Sequence, residues 1–211
     1  MADSLISQRL AASVIAVPPL ARDAELAVDR VENAKLVSYL KSGGIRTLLY
    51  GGNAVFYHIR LSEYEATVRM LLEIAGEDVW VIPSLGSAFG MMLDQASVLA
   101  KMDRIDTAMI LPQRELADAE GIATGIRHVV DRLGKPIVLY LKFDRWLPAR
   151  EVAKLVEEGR VSWIKYAVVR EDTRSDDYLR ELLECVPKDL MVSGMGEQPA
   201  IVHMREFGMA S

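Results

Sequence analysis

The chain has 211 residues, 51% of them hydrophobic and 26% charged, with 25 Lys+Arg against 30 Asp+Glu and a formal net charge of −5. This is the composition of an ordinary globular domain, so it excludes a disordered, collagen-like or low-complexity chain and weighs against nucleic-acid binding. The single cysteine excludes an internal disulfide framework or a cysteine-built metal centre, and it fits a reducing cytoplasm. The first nineteen residues lack a basic leader region, and Asp3 and Arg9 interrupt their apolar residues, so no signal peptide is expected. No apolar run approaches the ~20 residues of a membrane helix, and no membrane partner is expected.

Short β-branched apolar runs alternate with longer stretches of helical period. Strands are predicted near 14–17, 45–50, 79–82, 107–111, 136–141, 161–166 and 190–193. Their starts fall about 25 to 34 residues apart, the spacing of one βα unit. Both faces of these runs are apolar, as in a parallel sheet covered by helices. In the second intervening helix Tyr64, Val68, Leu71, Leu72 and Ala75 share a face, with Glu63, Glu65, Arg69 and Glu73 turned away. Ser62 and Glu65 there read as a capping box. In the fourth helix Ile122, Ile126, Val129, Val130 and Leu133 repeat the pattern, and Gly134 followed by Pro136 reads as a stop.

No linker or composition shift divides the chain, so one domain over 1–211 is expected. Seven βα repeats leave two architectures, a (β/α)8 TIM barrel or an open doubly wound sheet. An open sheet calls for a glycine-rich phosphate turn after an early strand. The turns present, Gly51-Gly52-Asn53 and Gly86-Ser87-Ala88-Phe89-Gly90, are not of that form. The α/β barrel is therefore favoured. At ~250 residues such barrels are longer than this chain. The expectation is seven βα units plus the start of an eighth strand near Phe207–Ser211, without the last helix.

In a barrel, chemistry gathers where strands end. Lys165 lies inside Val161-Ser162-Trp163-Ile164-Lys165-Tyr166, a strand otherwise free of charge. Alternation puts it on one face with Val161 and Trp163. A desolvated amine there would have a lowered pKa and could attack a carbonyl. The alternative is a lysine that reaches water or pairs with Glu171. Arg145, after strand five, could hold a carboxylate through its fork, or simply pair with Asp144 or stack on Trp146. Tyr140 could relay a proton, or be a core tyrosine with a satisfied hydroxyl. The loop Gly51-Gly52-Asn53-Ala54 lets backbone approach a ligand, or is a tight turn. Ser193-Gly194-Met195-Gly196-Glu197 could cradle an anion. His58, His128 and His203 are scattered, and no metal site is expected. His58 could be an acid or base, and Cys185 reads as a small buried apolar group.

The ordered set of these features resembles the dihydrodipicolinate synthase/N-acetylneuraminate lyase family of class I aldolases. The set runs from Val17-Pro18-Pro19, through the Gly-rich loop and Leu61-Ser62-Glu63-Tyr64-Glu65, to Tyr140 with Arg145, Ile164-Lys165 and Ser193-Gly194. The resemblance implies a (β/α)8 barrel, usually tetrameric, acting on pyruvate or another 2-oxo acid with no cofactor. It makes Lys165 the Schiff-base lysine and Tyr140 catalytic. Substrate contacts would come from Arg145, Gly52, Asn53, Ala54 and Gly194. It also implies a C-terminal helical region that this sequence does not contain, as in a truncated member.

The departures are specific. The family's Gly-Thr-Thr-Gly-Glu loop is here Gly52-Asn53-Ala54-Val55-Phe56, without either hydroxyl. A Pro-Tyr-Tyr stretch after strand four is here Pro112-Gln113-Arg114, without tyrosine, and Arg114 adds a cation that suggests a more acidic substrate or a bound anion. Two readings follow. One is a divergent lyase or aldolase that keeps Lys165. The other is a non-catalytic member that binds a small acid or assembles with other proteins.

Overall fold

The computed structural model describes residues 2–115 and 117–209. The chain forms two compact units, Met1–Leu111 and Pro112–Ser211. The first contains α1 (Ala2–Ala12), β1 (Ile15–Ala16), α2 (Arg30–Ser42), β2 (Thr47–Tyr50), α3 (Leu61–Ala75), β3 (Trp80–Leu85), α4 (Phe89–Leu99) and β4 (Met109–Ile110). The second contains α5 (Ala119–Leu133), β5 (Ile137–Leu141), α6 (Ala149–Glu157), β6 (Val161–Tyr166), α7 (Asp177–Cys185), β7 (Met191–Ser193) and α8 (Glu197–Arg205).

Within each unit every strand pairs in parallel with its neighbour in sequence. Thr47 stands opposite Ile15 and Trp80, and Ser84 opposite Met109. Tyr140 stands opposite Lys165, and Lys165 opposite Val192. Seven parallel strands separated by helices are the pattern of the expected barrel class. Burial accounts for the continuous apolar runs, because every residue of β2 and β3 is buried and only Lys165 of β6 is half-exposed. Strands covered on both faces need no polar alternation.

The helices follow their sequence signals closely. Tyr64, Val68, Leu71, Leu72 and Ala75 of α3 are all buried. Asp118 caps α5 by accepting from the Gly121 N–H at 2.8 Å. Gly134 ends it at φ +71° and donates its own N–H to Val130. That left-handed backbone is one a side chain disfavours.

Four expectations are corrected or qualified. The Ser62 capping box does not form, because α3 starts at Leu61, which puts Ser62 inside its first turn. Arg60 takes the extended conformation before it, and the Glu63 carboxylate accepts the Arg60 N–H at 3.3 Å. Glu63 also takes a bidentate pair from Arg22, at 2.7 and 3.1 Å. Second, α1 carries no strong amphipathic pattern and was not anticipated; it buries Ile6 and Leu10. Third, Cys185 is exposed rather than buried. Fourth, no eighth strand begins among the described residues. Gly208 turns at φ +72°, and the Met209 N–H returns to the His203 carbonyl. Ala210 and Ser211 lie outside the described residues.

Candidate active site

The site is built at the ends of β5 and β6. The register between them slips by one residue at Ile137/Val138, so alternation from Val161 does not carry across Ser162. The facing of Lys165 is set instead by its own partner, Tyr140. Lys165 Nζ lies 4.8 Å from the centre of the Tyr140 ring. Among the described residues it pairs with no carboxylate, Glu171 included. Burial pushes its pKa down to about 8, and the like charge of Lys142 adds to the shift.

Tyr140 is half-buried, and burial pushes its phenol pKa up. Its hydroxyl therefore keeps its proton at neutral pH and can donate. Gly194 closes the other side of the lysine. Its N–H donates to the Tyr166 carbonyl at 2.6 Å. A Cβ placed there would lie 2.8 Å from Ala167 Cβ, 2.8 Å from Lys165 Cγ and 2.9 Å from Lys165 Cε. Glycine is needed here so that the lysine stem can pass. Gly194→Ala is expected to destabilise the protein by about 1–3 kcal/mol, measured by urea unfolding, because neither Ala167 nor the lysine stem can move freely.

Arg145 takes a different setting from the three considered. It sits at φ +49°, exposed, with both amino groups on the Glu181 carboxylate of α7, Nη2 at 2.6 Å from Oε1. Its guanidinium stands 5.6 Å from the Tyr178 ring. That hydrogen-bonded pair raises the Arg145 pKa and lowers that of Glu181.

Behind Lys165 lies a network that the sequence did not reveal. Tyr166, the next residue on β6, donates to Asp176 Oδ2 at 2.6 Å. Asp176 is fully buried and also accepts from Arg170 at 2.9 Å and from the Leu179 N–H at 3.0 Å, which caps α7. Burial alone would raise the Asp176 pKa. The hydrogen bonds from Arg170, Tyr166 and Leu179 outweigh it and hold the carboxyl below its ordinary value. Arg170 also pairs with Asp144. His203 of α8 is buried against Tyr166 and shares a 2.9 Å hydrogen bond with Ser193 Oγ. Burial lowers its pKa, which keeps it neutral. This pair ties α8 to β7.

In the first unit, the loop after β2 is a closed turn. The N–H groups of Ala54 and Phe56 bond to the Gly51 carbonyl, and that of Val55 to Gly52. Gly52 and Asn53 are exposed, whereas Ala54 is buried. The Asn53 side chain donates to the Val17 carbonyl at 3.1 Å. His58 is exposed at the end of a single 3-10 turn, Phe56–His58.

No protein-family model matches the chain. It is 24% identical over 154 residues to a probable 5-dehydro-4-deoxyglucarate dehydratase of Saccharopolyspora erythraea, across 72% of this chain and 50% of that protein. The crystal structure of dihydrodipicolinate synthase from Oceanobacillus iheyensis matches with a TM-score of 0.74 at 19% identity, over 92% of this chain and 63% of that one. YagE from E. coli K12, a prophage protein of the dihydrodipicolinic acid synthase family solved with pyruvate, matches with a TM-score of 0.70 at 18% identity, over 84% and 60%. The chain thus spans half the length of the curated relative it matches. The chain carries the fold of the dihydrodipicolinate synthase/N-acetylneuraminate lyase family, as the resemblance implied.

Proposed function

We propose that the chain is a Schiff-base-forming lyase or aldolase that acts on pyruvate or another small 2-oxo acid. The observation that carries this reading is Lys165, an amine at the end of β6 whose pKa burial brings down to about 8 and which pairs with no carboxylate among the described residues. In the proposed step the neutral amine adds to the ketone carbon. The carbinolamine takes a proton and loses water, leaving an iminium that withdraws electrons from the neighbouring C–C or C–O bond. Tyr140, whose ring lies 4.8 Å from Lys165 Nζ, would give and regain a proton at the carbinolamine oxygen. Arg145 would take the substrate's carboxylate end, which requires it to release Glu181. Gly194 keeps the lysine stem in place, and Gly52, Asn53 and Ala54 are substrate contacts by resemblance alone. The relatives named as a synthase and a dehydratase support the reaction class. On the same reading the protein works without a cofactor as a cytoplasmic homo-oligomer, a tetramer by resemblance, with no nucleic-acid or membrane partner.

The test is intact-protein mass after incubation with pyruvate and sodium borohydride. The reading expects one reduced adduct. A folded protein that stays unlabelled by pyruvate and by larger 2-oxo acids contradicts it. A second reading, a non-catalytic member that binds a small acid or assembles with other proteins, is favoured by one observation. The loop residue Asn53, which stands where the family has a hydroxyl, is tied to the Val17 carbonyl.

Lys142 gives a separate prediction. Its positive charge disfavours the Lys165 ammonium. In Lys142→Met the pH at which labelling reaches half its maximal rate should move upward, and in Lys142→Glu further still. An unchanged midpoint in both would remove Lys142 from the account.

A further inference from the structure

Tyr166 follows Lys165 on β6 and points the other way, because successive residues of a strand face opposite sides of the sheet. Its side chain is fully buried, with ring centres 6.2 Å from Tyr178 of α7 and 5.8 Å from His203 of α8. Its hydroxyl donates to Asp176 Oδ2 at 2.6 Å. Asp176 is itself fixed, because it also accepts from Arg170 at 2.9 Å and from the Leu179 N–H at 3.0 Å. A hydrogen bond to an ionised acceptor is among the stronger ones. The Tyr166 ring is thereby anchored at its far end.

The backbone of the same residue reaches the lysine. The Tyr166 carbonyl accepts the Gly194 N–H at 2.6 Å. Because β7 is only three residues long, that bond carries its ladder one residue past Ser193. Gly194 lies against the lysine stem so closely that a Cβ there would stand 2.8 Å from Lys165 Cγ and 2.9 Å from Cε. A lysine stem is flexible and its ammonium strongly hydrated, so an unwalled amine swings toward water. Here Gly194 walls one part of the stem and the Tyr140 ring stands 4.8 Å from Nζ.

We propose that Tyr166 is a positioning residue for Lys165: anchored on Asp176, it holds Gly194 against the lysine stem and keeps the amine beside Tyr140. This rests on the Schiff-base reading and adds to it a residue that never meets the substrate. If the anchor is lost, Gly194 recedes, the stem gains room and the amine regains hydration. Hydration favours the ammonium, so less of the amine is neutral at pH 7.

The test follows initial rates of borohydride-dependent labelling by pyruvate from pH 6 to 10. It compares the unaltered protein with Tyr166→Phe, which loses only the hydroxyl, and with Tyr166→Leu, which loses the ring as well. Neither substitution alters a charge, and both leave Tyr140 and Lys142, the other groups acting on the amine, in place. The midpoint of the profile should rise by about half a pH unit in Tyr166→Phe, about threefold less neutral amine at pH 7, and further in Tyr166→Leu. Val130→Ala, a core truncation on α5 of the same unit, should lower stability without moving the midpoint. A midpoint that stays or falls in both Tyr166 variants, or that rises as much in Val130→Ala, overturns the proposal and leaves the Schiff-base reading standing. Failure of every 2-oxo acid to label the unaltered protein overturns both.

Discussion

Lys165→Met is expected to abolish borohydride-dependent labelling by pyruvate, and in the unaltered protein the labelling rate should climb with pH through about 8. Only the neutral amine attacks a carbonyl. With a pKa of about 8, roughly a tenth of the lysine is neutral at pH 7, some 300-fold more than for an ordinary lysine, by roughly the 2.5-unit difference. Initial labelling rates from pH 6 to 10 check this. A profile that rises only near the ordinary lysine pKa would mean that burial has not activated the amine. The same shift has a consequence for stability. A lysine whose folded pKa is depressed carries stability that is present above its unfolded pKa and is lost as pH falls through about 8. At pH 7 the folded protein therefore bears the cost of a partly buried charge. Lys165→Met should unfold at a higher temperature than the unaltered protein at pH 7, with the gap narrowing toward pH 10.

The second large effect is expected at Asp176. This carboxylate is fully buried and accepts from Tyr166, Arg170 and the Leu179 N–H. Asp176→Asn removes the charge opposite Arg170 and is expected to destabilise the protein by about 3 kcal/mol or more in urea unfolding. The sign with pH follows from the depressed carboxyl pKa. Its contribution is fully present above the unfolded carboxylate pKa of ~3.9 and is lost as pH falls through the lower folded value. The difference between the unaltered and Asp176→Asn proteins should therefore hold from neutral pH down to about 5 and shrink in stronger acid. A variant as stable as its parent at pH 7 would show that the network adds nothing.

What the sequence revealed and what it concealed divide along physical lines. Strand positions were legible because β2, β3 and β4 are wholly buried and β5 and β6 nearly so, which leaves apolar runs with few interruptions. Strand 161–166 was read to the residue. The α3 and α5 faces were legible because their apolar period matches a surface helix. Lys165 stood out because it is a lone charge in such a strand. Helix starts were less legible. Ser62 is the better capping residue by type, yet the chain enters α3 through Arg60, whose N–H the Glu63 carboxylate takes. Long-range pairing was not legible at all. Nothing in the sequence near Arg145 marks Glu181, 36 residues away, as its partner. Nothing in the sequence singles out Asp176, and its contacts with Tyr166 and Arg170 exist only after β6 and α7 pack. The near-contact of Gly194 with the Lys165 stem is likewise a property of neighbouring strands in register.

The central claim is that the Lys165 amine is the nucleophile. The most direct measurement digests the protein after pyruvate and borohydride treatment and locates the added mass by tandem mass spectrometry. The account predicts the label on Lys165 alone, with Lys142 unmodified in the same digest. A label distributed over exposed lysines, or found on Lys142 and absent from Lys165, would contradict it.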